Sequence, residues 1–209
     1  MALRMLARRA PSGSMTLVGD IAQATGHHAP DRWDEVLAHL PTDRGVEVKE
    51  LGVSYRTPAE ILELANRVLT RAAPHLRLPE PVRSTGVGPD IRHAPDPAAA
   101  AAEIASGHDT DSGTLAILCA GSHVTEVEEA LSGRGVAFGD AVRHGLQQPV
   151  TVVAEDVMKG LEFDEVVVVE PARLVRESPQ GDRALYVALT RATRKLWVVH
   201  AEPLPEAMS

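Results

Sequence analysis

Four short segments carry residue types and spacings from which a binding or catalytic site could be built. Thr16-Leu-Val-Gly-Asp-Ile-Ala-Gln23 reads as a strand ending in Gly19-Asp20, with Gln23 three residues beyond the acid. Ser54-Tyr55-Arg56-Thr57 places a phenol and a guanidinium where a predicted strand gives way to a helix. In open α/β sheets the carboxyl ends of strands are where ligands bind. In Lys159-Gly-Leu-Glu-Phe163, Gly160 would let a backbone approach a ligand closely, and Glu162 is a carboxylate between two apolar residues. Val187-Ala-Leu-Thr-Arg-Ala192 closes a helical pattern that sets Leu185, Ala188, Leu189 and Ala192 on one face, with Arg191 near its end. Each segment also has a plainer reading. These are a turn at Gly19-Asp20, a solvated loop at Tyr55-Arg56, a glycine-stopped helix at Gly160, and a cation at Arg191 favoured by the helix dipole.

Other chemistries find less support. His27, His28 and His39 have no acid or cysteine at metal-ligand spacing, so the sequence predicts no metal site. Ser14 and Ser54 lack a nucleophile-elbow pattern. No glycine-rich fingerprint follows a first strand, which argues against a dinucleotide oxidoreductase. No G-x-x-x-x-G-K-[ST] loop occurs; none of Lys49, Lys159 and Lys195 is even preceded by glycine.

The elements that must position these residues alternate. Strands are predicted at Met15–Val18, Val46–Leu51, Ile91–His93, Thr114–Cys119, Val136–Phe138, Val150–Val153, Glu165–Val169 and Leu196–His200. Helical patterns cover Ala2–Arg9, Trp33–Leu40, Pro58–Ala72, Pro97–Ser106, His123–Ser132 and Asp182–Ala192. Thr57, Pro58 and Glu60 read as a capping box with proline at the first helical position. The run Ala98–Ala102 reads as a helical surface. Strands separated by helices predict a parallel sheet covered on both faces, and the apolar run Val166–Val169 suits a strand buried on both sides. Two stretches read as boundaries: the turn-rich Thr25–Arg32 and the proline-rich Ala73–Pro97.

Composition bounds the function classes. The 209 residues include 44% hydrophobic and 24% charged residues, the balance of a globular protein. No aliphatic run is long enough for a bilayer span, and the basic N-terminus has no export-signal core. The single cysteine, Cys119, excludes an internal disulfide framework. A cytoplasmic address with no membrane partner is therefore expected. The net charge of −8 argues against coating nucleic acid by bulk electrostatics, although a narrow basic groove stays compatible with it.

In their order and wording the four segments resemble motifs III to VI of superfamily 1 helicases of the UvrD/Rep/PcrA type. Gly19-Asp20-x-x-Gln23 resembles motif III, Ser54-Tyr55-Arg56-Thr57 motif IV, Lys159-Gly-Leu-Glu-Phe163 motif V, and Val187-Ala-Leu-Thr-Arg-Ala192 motif VI. The resemblance implies a RecA-like three-layer α/β/α sandwich, with residues 33–209 as the second motor domain. Residues 1–32 would be the last helix and strand of the first. It also implies an interdomain ATP site, in which Arg56 and Arg191 reach the γ-phosphate. Gln23 would couple that phosphate to domain movement, Tyr55 would stack on adenine, Glu162 would bind ribose, and Gly160 would allow close approach. ATP and Mg²⁺ would be seated mainly by an N-terminal motor half, so this chain alone is expected to be inactive.

Two departures refine the expectation. UvrD-type proteins place Thr and His upstream of the motif V lysine, on the single-strand track; here those positions are Ala154 and Asp156. The spacing between Arg56 and Lys159 is too short for a large inserted domain. A shorter HelD-like relative acting on RNA polymerase resembles the sequence best, and a DNA translocase is the next reading. The contrasting class is a non-catalytic module derived from a helicase half, binding a protein partner without hydrolysing ATP.

Overall fold

The aliphatic runs pair into one parallel sheet, described here from a computed structural model that covers residues 2–10, 14–40, 45–143, 145 and 147–208. In chain order its strands are β3 (Asp90–His93), β4 (Leu115–Cys119), β5 (Gly139–Asp140), β6 (Val150–Ala154), β7 (Phe163–Val169) and β8 (Ala192–His200). They lie in the spatial order β3-β8-β7-β4-β6-β5, all parallel. A separate two-residue pairing joins β1 (Val53–Ser54) to β2 (Glu80–Pro81).

Alternation along the strands feeds two cores. Ala116, Leu118, Val166, Val168, Leu196 and Val198 face one side, against α3 (Ala59–Ala72), α6 (Pro171–Glu177) and α7 (Gly181–Leu189). Leu115, Ile117, Cys119, Val167, Val169, Trp197 and Val199 face the other, against α4 (Pro97–Ser106) and α5 (Val124–Gly133). This is the predicted three-layer sandwich. Helix α3 docks because Ile61, Leu62, Leu64, Ala65, Val68 and Leu69 recur at helical spacing and are buried. Helix α7 is enclosed more fully: residues 183–189 are all buried. Burying side chains such as Leu185 and Leu189 contributes about 1.5–3 kcal/mol each.

Several local expectations are corrected. Met15–Val18 forms no strand; Val18 is 90% exposed. A strand sequence becomes a strand only where another edge takes its N–H and C=O groups. Val46–Leu51 is likewise unpaired and exposed, and pairing is confined to Val53–Ser54. The edge strand forecast at Val136–Phe138 lies instead at Gly139–Asp140. Helix α7 stops at Leu189, before Ala192, which is already the first residue of β8. There the Thr190 hydroxyl donates to the carbonyls of Tyr186 and Val187, at 3.0 Å each. The alanine run in α4 is core, with Ala101 and Ala102 fully buried, because only methyl-sized side chains let the helix sit this close to the sheet. Helix α6 escaped the sequence pattern; it opens with Pro171 after Glu170, a buried residue at φ 50°. The short helices α1 (Ala2–Arg8) and α2 (Trp33–Leu37) lie where predicted, the latter ending sooner.

The loop entering β4 is fixed by a polar plug. His108 bridges Glu165 at 3.1 Å and the Gly113 carbonyl at 3.0 Å, while Asp164 accepts from the Thr114 amide at 2.9 Å. Gly113 has φ 122°, and a Cβ there would run into the Asp164 carboxylate. Gly113→Ala is therefore expected to destabilise the fold by at least about 2 kcal/mol in urea unfolding. Gly107→Ala, with only ordinary contacts around it, serves as the mild control.

Candidate functional site

The first residues of β7 and β8 pair, Phe163 with Ala192, and the Phe163 amide donates to the Arg191 carbonyl at 3.0 Å. The residues just ahead of these strands, Glu162 and Arg191, are thus held side by side at the amino-terminal edge of the main sheet. The expected ligand edge was the carboxyl one. Arg56 does follow the carboxyl end of β1, but β1 stands outside the main sheet, and its loop leans on the opposite edge.

Arg191 is the buried centre, 5% exposed. Its Nε donates to the Val187 carbonyl at 3.0 Å and its Nη1 to the Leu161 carbonyl at 2.9 Å. Nη2 is held less well, by Gln23 Oε1 at 3.4 Å and Thr190 Oγ1 at 3.3 Å. All four partners are neutral, and among the described residues no carboxylate forms an ion pair with this guanidinium. Burial lowers its pKa, and the neighbouring Arg56 cation lowers it further, while Tyr186 and Asp20 oppose the shift. A buried cation beside a second cation is costly unless an anion joins them.

Gln23 reaches Arg191 through a short relay. Ile21, Ala22 and Ala24 are buried, and Ala22 joins the core of α3 and α7. Asp20 accepts from the Ala22 amide at 2.9 Å and from Gln23 Nε2 at 2.8 Å, which leaves Gln23 Oε1 turned to the arginine. Arg56, by contrast, is largely exposed and pairs with Glu162. Tyr55 beside it is 72% exposed, an open ring face. Gly160 has φ 80° with open space around its Cβ position, so glycine answers the backbone conformation there and not crowding. The structure therefore gathers Gln23, Arg56, Glu162 and Arg191, with Gly160 and Lys159 exposed on the same incoming loop.

Three contributors to the site were not named for it from the sequence. Arg83 Nη2 donates to the carbonyls of Arg56 and Thr193, stapling the Arg56 loop to β8. Glu60 was expected to close a capping box, but Pro58 is the N-cap and no side chain caps it. The Ala59 amide donates to the Arg83 carbonyl at 2.8 Å, and the Glu60 carboxylate reaches sideways to Ser84 Oγ and to the Gly86 amide at 2.7 Å. Tyr186, 6% exposed, is the third; burial, then the Asp20 charge, pushes its phenol up to about 12. No spacing rule links Glu60 or Arg83 to a site, whereas Tyr186 lies within the recognised helix.

The side chains gathered at this edge include two guanidiniums, the Gln23 amide and a buried phenol. Asp20 is spent on Ala22 and Gln23, and Glu162 on Arg56. Such a set fits an anion such as a phosphate and not a metal ion. Ala154 and Asp156 lie at the opposite, carboxyl end of β6, where Asp156 is exposed. The loop from there to Glu162 returns across the α3–α7 face, burying Met158. Among the described residues no helix is long and apolar enough to cross a membrane.

Residues 150–199 match the UvrD-like helicase C-terminal domain family. That span holds β6, the Lys159–Glu162 loop, α7 and Arg191, but neither Gln23 nor Arg56. No curated protein matches the sequence. Among solved structures, the C-terminal domain of a possible DNA helicase from Lactobacillus plantarum is similar at TM-score 0.58 and 21% identity. The alignment covers 75% of this chain and 93% of that one, and at such identity the likeness is one of fold.

The Glu60 clamp makes a pH prediction. Hydrogen bonding, chiefly from Ser84, lowers its pKa from 4.5 to about 2. The charged clamp is intact at neutral pH; its stabilisation weakens as pH falls below the unfolded value and is lost near 2. Carboxyl NMR titration should place Glu60 well below the ordinary glutamate value, and Ser84→Ala should move its midpoint upward.

Proposed function

We propose that this chain is the second motor domain of a UvrD-like superfamily 1 ATP motor, lending phosphate-sensing arginines to a nucleotide seated mainly on an N-terminal motor half. The observation that carries this reading is Arg191, buried among neutral partners with Arg56 beside it. A γ-phosphate would relieve the repulsion between the two cations, and guanidinium forks match phosphate oxygens geometrically. Nη2, with its long bonds to Gln23 and Thr190, is the group free to turn to that phosphate. Gln23 would then register the change and pass it to residues 14–20.

Arg56 and Glu162 form an ion pair. Nucleotide binding on this reading exchanges that pair: Arg56 turns to phosphate and Glu162 to the ribose hydroxyls. The exposed Tyr55 ring offers a face for adenine, and Gly160 keeps its loop low beside the ligand. Mg²⁺ would be held by the N-terminal half with the phosphates. In phosphoryl transfer the protein chiefly positions groups and stabilises spreading charge, and an arginine finger alone is worth about 10³–10⁵ in rate.

The exposed Asp156, on the edge where the family's strand track would run, repels phosphates. That feature supports a motor acting on a protein, HelD-like and directed at RNA polymerase, over one that tracks DNA. It is equally the feature that favours the second reading, a helicase-derived module that binds a protein without turnover.

Paired with the N-terminal half, the motor should lose about 10³-fold in ATPase kcat on Arg191→Lys or Arg56→Ala, while Tyr55→Ala should mainly raise KM. Arg56 is exposed, so its replacement leaves folding intact. Turnover untouched by either arginine variant would refute the sensing role. Stimulation by RNA polymerase and not by DNA would support the HelD-like target; the reverse would favour a DNA translocase.

A further inference from the structure

Arg183 occupies the first turn of α7 and is 4% exposed. A cation is out of place there, since the amino end of a helix carries partial positive charge. Its use lies in the segment packed over it. Nη2 stands 2.8 Å from Asp31 Oδ1 and Nη1 donates to the Pro30 carbonyl at 3.4 Å. The Asp31 carbonyl in turn accepts from His75 Nε2 at 2.8 Å.

Helix α7 therefore grips one stretch of chain at two points. Arg183, at its start, holds residues 30 and 31; Arg191, just beyond its end, holds Gln23. A nine-residue helix is about 13 Å long, a length the chain from Gln23 to Asp31 spans readily. We infer that Arg183 is a positioning residue that anchors the Asp31 end of this stretch, so that Gln23 meets Arg191. When Nη2 of Arg191 releases Gln23, the Arg183–Asp31 pair is the fixed point about which the segment moves. The inference rests on the phosphate-sensing reading for its purpose, but the anchoring is a property of the free chain and is tested there.

Hydrogen exchange on the 209-residue chain compares wild type with Asp31→Ala, Asp31→Glu and Arg183→Gln. The Asp31 side chain is 66% exposed, so its truncation spares the core even if the arginine variant fails to fold. Amides 21–24 should exchange about tenfold faster in Asp31→Ala, with amides 185–189 of α7 unchanged and Asp31→Glu restoring the wild-type rate. Unaltered exchange at 21–24 in Asp31→Ala would overturn the inference. So would parallel acceleration across α7, which would make Arg183 a support for the helix alone. Neither result touches the ATPase test of Arg191 and Arg56, so the two ideas can fail separately.

Discussion

A guanidinium removed from water must find partners for its five donors and something to offset its charge. Arg191 makes four hydrogen bonds, to two carbonyls, a hydroxyl and an amide oxygen, and none of these partners offsets its charge. Much of the surrounding structure follows from that. Helix α7 ends where the Val187 carbonyl can accept from Nε, the Leu161 carbonyl is turned inward by the loop ahead of β7, and Asp20 orients Gln23. The Arg56 cation, paired with Glu162, then arrives on a separate loop held by Arg83 and Glu60, and its charge lowers the pKa of Arg191 further.

The two ends of the sheet are chemically distinct. At the amino edge stand Arg56, Arg83 and Arg191, converging from three parts of the chain. At the carboxyl edge the exposed Asp156 follows β6, and Glu170 is turned back on the backbone of Ala201 and Glu202. A single-strand track across such an edge would run against its charge. The net charge of −8 thus says little about the site. What matters is that three arginines from distant parts of the chain meet at one rim.

Much of the fold was legible because burial on both faces leaves an unmistakable trace. The runs Leu115–Cys119, Val152–Ala154, Val166–Val169 and Leu196–Val199 are apolar, and each lies in a strand with neighbours on both sides. Where the sequence misled, a local pattern met a tertiary demand. Thr57, Pro58 and Glu60 spell a capping box, yet the turn at Ser84–Gly86 offers the carboxylate better donors. Val18 has strand-like neighbours but no edge to join. Within the site, Gln23, Arg56, Glu162 and Arg191 were all named from sequence wording, whereas Arg83 and Arg183 were not. Their partners are backbone carbonyls and an aspartate distant in the chain, which no spacing encodes.

On the phosphate-sensing proposal, the two arginines recognise the terminal phosphate and not the rest of the nucleotide. The direct measurement is the affinity of the two-half motor for a non-hydrolysable ATP analogue and for ADP, in wild type, Arg56→Ala and Arg191→Lys. Each variant is expected to weaken analogue binding by about tenfold or more, the worth of a charge-assisted hydrogen bond, and to leave ADP binding nearly unchanged. Equal weakening of both nucleotides, or of neither, would contradict it.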